Sequence, residues 1–346
     1  MPEHSAHESA HESAPTDDAG PPPAYDVNAL GPQVSPAHTR VGWIGLGVMG
    51  SSMAAHVLDA GYALSVHTRT PSRAQPLLDA GATWFDDPVA LAEAVDVVCV
   101  MVGHPHEVEH VVGELIERCT SQVEIIDHTT SEPTLAATLS ARAAATGPGR
   151  GLAVYDAPVS GGDRGARDGT LSIMCGGDAD GLFHLWPLLE TYGATIVHHG
   201  PAGAGQHAKV VNQTLVAGAM TSLCEALVYA AAAGLDPDAV LRSVGGGAAA
   251  SWTLSNLAPR MLAGDLAPGF YVEHFIKDLE ITLHECERMG LDLPGVRLAH
   301  ELYVALAQAG HYRDGTQALI VEVARRNDLS WPPRRAAQHD ALPETP

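Results

Sequence analysis

The fold of this chain is set by one stretch near its start, Val41-Gly-Trp-Ile-Gly45-Leu-Gly47-Val-Met-Gly50. An apolar run precedes this G-x-G-x-x-G pattern, and a helical run that ends at Gly61 follows it. Glycines at these places let the backbone approach a pyrophosphate, whose charge is stabilised by the helix N-terminus. The pattern by itself is weak, but the strand before it and the helix after it supply the context that it requires. The sequence therefore predicts a dinucleotide site at Gly45, Leu46, Gly47, Val48, Met49 and Gly50.

Strand and helix patterns alternate from Val41 to about Gly200. Such alternation predicts a mostly parallel sheet with helices on both faces. After Pro201 the strand patterns stop and Ala/Leu-rich stretches follow, which indicates an all-helical region. The predicted fold is of the α/β class, a Rossmann-type doubly wound sheet followed by an all-α C-terminal domain. The predicted strands are 41–46, 63–68, 95–102, 124–129, 153–158, 170–175 and 195–199.

Composition divides the chain into four predicted regions. Residues 1–38 carry a His-Glu-Ser-Ala repeat and a proline run, and residues 331–346 are Pro-rich and polar, so both are predicted to be disordered tails. Between them we expect a Rossmann domain that binds a dinucleotide, at 39–200. An all-helical domain for substrate binding or dimerisation is expected at 201–330.

One helix of unusual length is predicted from Ala202 to Gly234. It is apolar on several faces, but Lys209, Asn212 and Gln213 interrupt it, and these groups argue against a membrane span. A helix that joins two domains, or one buried in a dimer, explains the pattern better.

Charge and cysteine usage limit the function classes. The 346 residues include 41 Asp and Glu against 19 Lys and Arg, a formal net charge of −22. Nucleic acids and anionic membranes need clustered cations, so neither is an expected partner. The five cysteines are widely spaced, and residues 1–39 lack the cations of a secretory signal, so we expect a cytoplasmic protein.

The segment after the second predicted strand indicates which dinucleotide is bound. An NAD site normally presents Asp or Glu there for the ribose hydroxyls, and none occurs between Gly61 and Leu78. Thr68, Arg69, Thr70 and Arg73 lie there instead, and a guanidinium suits a 2′-phosphate. The sequence therefore predicts NADP(H) as the cofactor, with NAD possible but weaker.

Six motifs follow one another along the chain: G-L-G-x-M-G at 45–50, R-T at 69–70, D-H-T-T-S-E-P at 127–133, D-A-P-V-S-G-G at 156–162, G-Q-H-A-K-V-V-N-Q at 205–213 and K-D-L at 277–279. In these motifs and in their order, the chain resembles the β-hydroxyacid dehydrogenase family from about Val41 to Ala324. That family includes 3-hydroxyisobutyrate dehydrogenases, tartronate semialdehyde reductases, and glyoxylate and succinic semialdehyde reductases. The resemblance implies a 6-phosphogluconate dehydrogenase-like C-terminal domain, a small carboxylate substrate, and a homodimer or homotetramer. It implies hydride transfer between a nicotinamide cofactor and a small β-hydroxy acid or its semialdehyde.

Lys209 matches the family's catalytic lysine. Its ammonium can stabilise a developing alkoxide and protonate it, and burial would lower its pKa toward working pH. Asn212, three residues on, shares its helix face. The family usually has a second Asn where this chain has Gln213, so the substrate contact of Gln213 is the less certain of the two. The resemblance places substrate binding at Ser160, Gly161, Gly162, Asn212 and Gln213. It places further cofactor contacts at Val102, Gly103, Glu107, Thr130 and Lys277.

Three alternatives compete with this interpretation. His106-Glu107-Val-Glu-His110 satisfies the H-E-x-x-H zinc signature of a hydrolase, but it falls where a dinucleotide domain needs its post-strand helix, so no metal is expected. An imine reductase-like enzyme is a second alternative, although such enzymes typically replace the lysine with Asp or Tyr. A non-catalytic NADPH-binding protein is the third, and the retention of Lys209 argues against it.

Overall fold

A computed structural model describes residues 33–147 and 151–332. Its first part is a six-stranded parallel sheet. The strands are β1 (Arg40–Ile44), β2 (Ala63–His67), β3 (Thr83–Trp84), β4 (Val97–Val100), β5 (Glu124–Asp127) and β6 (Ala153–Asp156). Their order in the sheet is β3-β2-β1-β4-β5-β6, and every neighbouring pair is parallel. The order reverses between β1 and β4, which is where a doubly wound sheet opens a crevice for ligands.

Helices cover both faces of this sheet. They are α1 (Val48–Asp59), α2 (Gln75–Asp79), α3 (Pro88–Glu93), α4 (Pro105–Arg118) and α5 (Pro133–Ala145). Met53 and Val57 of α1 pack on one face, while Val112 and Leu115 of α4 pack on the other. All four residues of β4 are buried, as expected of a strand covered on both sides. The predicted α/β fold with a doubly wound sheet is confirmed.

The last two predicted strands belong to a second, three-stranded sheet. It contains β7 (Val159–Ser160), β8 (Leu171–Cys175) and β9 (Gly193–His198), and the helices α6 (Gly162–Asp168) and α7 (Ala179–Leu189) lie between them in the chain. β7 is antiparallel to β8, whereas β9 is parallel to it. The single predicted strand 153–158 is split, because β6 ends at Asp156 and the chain continues from there into β7 of the second sheet. Sequence patterning could not separate the two sheets, since a buried strand has the same apolar pattern in either.

From residue 204 onward the described chain is helical. The helices are α8 (Ala204–Ala232), α9 (Pro237–Val244), α10 (Trp252–Ala263), α11 (Val272–Met289), α12 (Pro294–Leu306) and α13 (Leu319–Arg326). Their shared core contains the aromatic pair Phe275 and Tyr303, whose ring centroids lie 4.9 Å apart. This confirms the predicted all-α region that follows the sheet.

The 29-residue helix α8 runs along the middle of this helical part. By length and composition it could cross a membrane. Twelve of its residues are nevertheless buried against the rest of the chain, and Lys209 and Gln213 are among them. Val211, Leu215 and Tyr229 are exposed on its other face.

Most of the two predicted tails lies outside the described residues, including the His-Glu-Ser-Ala repeat. The ends that are described are packed. Val34 is only 3% exposed, and its N–H donates to the carbonyl of His184 at 3.1 Å. The indole N–H of Trp331 donates to the carbonyl of Met261 at 2.8 Å. Packing therefore extends a few residues into both segments that the sequence assigned to tails.

Candidate active site

The three glycines of the turn between β1 and α1 have different surroundings, and each excludes or tolerates a side chain for its own reason. Gly45 has a φ of +98°, and a Cβ there would lie 2.2 Å from the carbonyl oxygen of Met101. A Cβ on Gly50 would lie 2.1 Å from the carbonyl oxygen of Gly45. Gly47 faces open space, because no atom of the described residues lies within 4 Å of the position that a Cβ would occupy. Two glycines are therefore needed for packing, and Gly47 leaves room for a ligand.

The start of α1 suits an anionic ligand. Gly47 is its N-cap, no side chain in the described part of the chain caps it, and its first turn has no acidic residue. Free N–H groups and the helix dipole at such an end favour a phosphate group. Leu46 is buried in the core, whereas Val48 is exposed beside the turn and Met49 is partly buried. The residues present therefore fit the pyrophosphate of a dinucleotide.

The residues predicted to select the 2′-phosphate follow β2. The N–H of Gly45 donates to the carbonyl of His67 at 2.9 Å, so the end of β2 is tied directly to the glycine-rich turn. Arg69, Thr70 and Arg73 are exposed there, whereas Thr68 is buried. Three of the four predicted contacts are thus accessible beside the turn.

The loop after β4 contains Val102, Gly103 and Glu107. The N–H of Val102 donates to Oγ1 of Thr129 at 3.0 Å. Oε2 of Glu107 accepts from the N–H groups of Gly103 and His104 at 2.7 and 3.1 Å, and Oε1 pairs with Arg69. Glu107 is therefore the capping residue of α4 rather than a free side chain.

This use of Glu107 bears on the zinc alternative. Oε2 of Glu107 caps α4 and Oε1 pairs with Arg69, so this carboxylate is engaged within the dinucleotide domain and not with His106 or His110. Within residues 33–147 and 151–332, no three His, Cys, Asp or Glu side chains are placed to hold a metal ion. The structure therefore gives the zinc motif a capping role.

Lys277, on α11, joins the helical part to the loop after β5. Its Nζ donates to the carbonyl of Thr130 at 2.6 Å and lies 3.0 Å from Oδ1 of Asp278. A cavity of about 600 Å³ opens beside it, between α4, α5 and α11. His104, Glu132 and His284 line this cavity with Lys277. Two predicted cofactor residues, Thr130 and Lys277, are thus in direct contact at the cleft between the sheet and the helices.

Lys209 lies in the second turn of α8 and is 7% exposed. Its Nζ donates to the carbonyl of Val159 at 2.8 Å, and Val159 directly precedes Ser160. Gly161 and Gly162 follow with φ values of +132° and +64°, a backbone that other residues rarely adopt. The structure therefore brings the predicted catalytic lysine against the predicted substrate turn.

The environment of Lys209 changes its acidity. Burial lowers the pKa of Lys209 to about 8, the nearby Asp278 carboxylate opposes this shift, and the Lys277 ammonium adds to it. Such a group is present in both protonation states near neutral pH, as a general acid or base requires.

Asn212 and Gln213 follow Lys209 on α8. Nδ2 of Asn212 donates to Oε1 of Gln213 at 2.7 Å, and Nε2 of Gln213 donates to Oδ2 of Asp278. Gln213 is buried and Asn212 is half-buried. The side chain of Gln213 is thus engaged with α11, and its predicted contact with substrate stays a prediction.

Sequence reasoning missed the two residues that anchor the start of α8. The carboxylate of Asp156 accepts from the N–H groups of Gly203 and Gln206 at 2.7 and 2.8 Å. Burial raises the pKa of Asp156, and these N–H groups act in the opposite direction. The Gln206 side chain donates to the carbonyl of Thr129 at 2.7 Å and accepts from the N–H of Ser131 at 3.0 Å. The sequence signals were an acidic residue at the end of a buried strand, within the motif at 156–162, and the position of Gln206 within the motif at 205–213.

Comparisons with known proteins agree with this architecture. Residues 40–200 match the NAD binding domain of 6-phosphogluconate dehydrogenase. Residues 203–323 match the family described as NAD-binding of NADP-dependent 3-hydroxyisobutyrate dehydrogenase. These two matches cover both the sheet and the helices.

The alignments with individual relatives cover nearly the whole length of each relative. A probable mitochondrial 3-hydroxyisobutyrate dehydrogenase-like protein of Arabidopsis thaliana is 44% identical, over 86% of this chain and 89% of its own. The 2-hydroxy-3-oxopropionate reductase of Escherichia coli is 36% identical, over 81% of this chain and 96% of its own. The solved 3-hydroxyisobutyrate dehydrogenase of Mycobacterium tuberculosis is 29% identical with a TM-score of 0.75, over 82% and 98%. The chain therefore belongs to the β-hydroxyacid dehydrogenase family and is an NAD(P)-dependent oxidoreductase that acts on CH–OH groups.

Proposed function

We propose that this enzyme interconverts a small β-hydroxy acid and its semialdehyde, with NADP(H) as the preferred cofactor and Lys209 as the general acid and base. The observation that carries the proposal is the hydrogen bond from Lys209 to Val159, beside Ser160. It couples a buried, titratable ammonium to a turn whose hydroxyl and backbone N–H groups suit a carboxylate.

The residues of the cleft have complementary tasks. Ser160, Gly161 and Gly162 hold the substrate carboxylate, and the Asn212 side chain binds a second polar group of the substrate. A nicotinamide cofactor, when bound, supplies or accepts the hydride. In reduction, the Lys209 ammonium donates a proton to the carbonyl oxygen as negative charge develops there. In oxidation, the neutral amine removes the proton from the substrate hydroxyl.

The preference for NADP(H) rests on two observations. Arg69 lies exposed after β2, where a 2′-phosphate would meet it, and the described segment from Gly61 to Leu78 contains no carboxylate for ribose hydroxyls. The family matched by residues 203–323 is described as NADP-dependent. NAD(H) is proposed as a weaker cofactor.

We propose a cytoplasmic homodimer or homotetramer with a small carboxylate substrate and neither nucleic acid nor membrane as a partner. All five cysteines are buried and none of them forms a disulfide in the described part of the chain, which suits a reducing compartment. The exposed apolar side chains of Val211, Leu215 and Tyr229 on α8 support a second subunit there. The net charge of −22 disfavours anionic polymers.

The decisive experiment follows NADPH oxidation at neutral pH with glyoxylate and with tartronate, succinic and methylmalonate semialdehydes, with and without EDTA. We expect EDTA-insensitive turnover of one aldehyde, and its loss in Lys209→Ala. Reduction of a cyclic imine but of no aldehyde would favour the imine reductase alternative. Tight NADPH binding by calorimetry without turnover of any substrate would favour a non-catalytic protein.

A further inference from the structure

Arg69 and Glu107 form an ion pair across the carboxyl end of β1. Arg69 follows β2 and Glu107 lies in the first turn of α4, after β4. β2 and β4 are the two neighbours of β1 in the sheet. The guanidinium Nη1 and the carboxylate Oε1 are 2.5 Å apart. The pair therefore bridges the two loops that flank the glycine-rich turn.

The two side chains of this pair differ in how far they are free to move. The side chain of Glu107 is 13% exposed, and its Oε2 is fixed by the N–H groups of Gly103 and His104. The side chain of Arg69 is 83% exposed. A 2′-phosphate can therefore draw the guanidinium away while the carboxylate stays in place.

Glu107 remains charged in this setting. Burial acts to raise the pKa of Glu107, but the two N–H groups and Arg69 together hold it below its usual value. At neutral pH a bound ribose thus meets a fixed negative charge as well as a guanidinium.

We infer that Glu107 is a specificity-determining residue of the cofactor site: it competes with a 2′-phosphate for Arg69, and it accepts a hydrogen bond from an unphosphorylated ribose hydroxyl. This inference rests on the proposed dinucleotide site. The 2′-phosphate of NADPH is attracted by the Arg69 guanidinium and repelled by the Glu107 carboxylate. The ribose hydroxyl of NADH donates a hydrogen bond to that carboxylate, as it does to the acidic residue of an NAD site. The enzyme therefore binds both cofactors with a narrow preference for NADPH.

The exposure of the ion pair explains why a phosphate can displace Glu107 as the partner of Arg69. An exposed ion pair is weak, because solvent screens it and the long side chain loses freedom. A phosphate monoester carries nearly two charges and three acceptor oxygens, and a guanidinium binds it through two parallel hydrogen bonds. Glu107 thus reduces NADPH binding without abolishing it.

The test is Glu107→Gln, because glutamine at this helix position keeps one oxygen for the two capping N–H groups, while the charged oxygen that pairs with Arg69 is replaced by a neutral NH2 group. We expect the Kd of NADPH to fall about fivefold and that of NADH to rise about fivefold, as loss of a weak ion pair allows. The matched control is Glu117→Gln on the same helix, since Glu117 pairs with Arg142 at 2.9 Å, far from the turn. The control should leave both constants unchanged.

A second variant tells whether the effect of Glu107→Gln comes from removing the competition for Arg69 or from loosening the loop that Glu107 caps. In an Arg69→Ala background, Glu107→Gln should lose about half or more of its effect on NADPH, because the contested guanidinium is gone. Parallel changes for both cofactors, or an unchanged ratio in Glu107→Gln, would overturn the inference and leave the proposed function intact. Failure of the wild-type chain to bind either cofactor would overturn both.

Discussion

The ammonium of Lys209 donates a hydrogen bond of 2.8 Å to the carbonyl of Val159, fifty positions earlier in the chain. The two residues lie on different parts of the molecule, Lys209 on a helix of the all-α part and Val159 in the small sheet. One contact therefore joins the proposed proton-transfer group to the turn that is proposed to hold the substrate. A shift of either element changes the distance between lysine and substrate.

Replacing Lys209 tests its chemical role. We expect Lys209→Ala to lower kcat by at least about a hundredfold, since loss of a general acid typically costs this much. NADPH affinity should change little, because the side chain faces the substrate turn. Steady-state kinetics and calorimetric titration measure the two effects. Near-normal turnover in a folded variant would contradict general acid catalysis by Lys209.

The pH profile tests the surroundings of Lys209. With a pKa of about 8, reduction should be fastest below pH 8 because it needs the ammonium, and oxidation should increase through pH 8 because it needs the amine. The Asp278 carboxylate favours the ammonium, so Asp278→Asn should move both limbs to lower pH. Initial rates in both directions between pH 6 and pH 10, within the range where the variant stays folded, check this. Limbs that move to higher pH, or do not move, would count against the assignment.

Asp156 is predicted to set the position of α8. In Asp156→Asn one oxygen is replaced by an N–H donor, so the N–H of Gly203 or of Gln206 loses its partner. We expect a loss of about 1–3 kcal/mol in unfolding free energy and a several-fold lower kcat, without a shift in the pH profile. Denaturant unfolding and kinetics measure these.

Asp178 offers the matched control for that variant. It caps α7 through the N–H of Gly181 at 3.1 Å, but it is exposed. Asp178→Asn should cost less than about 1 kcal/mol and leave kcat unchanged. Equal costs for the two substitutions would mean that Asp156 has no special role.

The buried His128 should make the protein sensitive to acid. Its Nδ1–H donates to the carbonyl of Ala157 at 2.8 Å, and its Nε2 accepts from the hydroxyl of Tyr192 at 2.9 Å. Burial lowers the pKa of His128 to about 4, below the ordinary value of 6.5. The unfolded chain therefore binds the extra proton first as pH falls, so stability should decline from about pH 6.5 down to about pH 4.

The comparison with His128→Gln isolates this contribution. A shift of this size corresponds to about 3 kcal/mol that the wild type loses on acidification and the variant does not. Asp127 acts in the opposite direction, because burial raises its pKa to about 7, but it is present in both proteins. Unfolding free energies measured at pH 7, 5 and 4 give the difference. Parallel curves for the two proteins would show that His128 does not titrate in this range.

The sequence could predict those parts of the fold and of the site that are encoded by contiguous residues. The dinucleotide turn is a contiguous pattern with its strand and helix attached, and Lys209 stands in a contiguous motif. The anchors of the site are not contiguous. Asp156 meets Gln206 across fifty positions, and Gln213 meets Asp278 across sixty-five. No periodicity in one sequence reports such pairings.

The function predicted for Glu107 shows the same limit. The family pattern places it near the cofactor, and the structure adds that one of its oxygens caps α4 while the other binds Arg69. Arg69 and Glu107 were predicted as separate contacts. Their pairing follows only from the order of β2, β1 and β4 in the sheet.

The anchored start of α8 makes that end a pivot. Asp156 and Gln206 hold its first turn, so a rigid tilt of α8 about this point would displace each residue in proportion to its distance from Gln206. Lys209 lies about 4.5 Å along the axis from Gln206, whereas Ala232 lies about 39 Å away. A tilt of about 5° therefore moves the far end by about 3.4 Å and the lysine by only about 0.4 Å. A tilt of this kind would change the far end of α8 while leaving the proposed proton donor nearly in place.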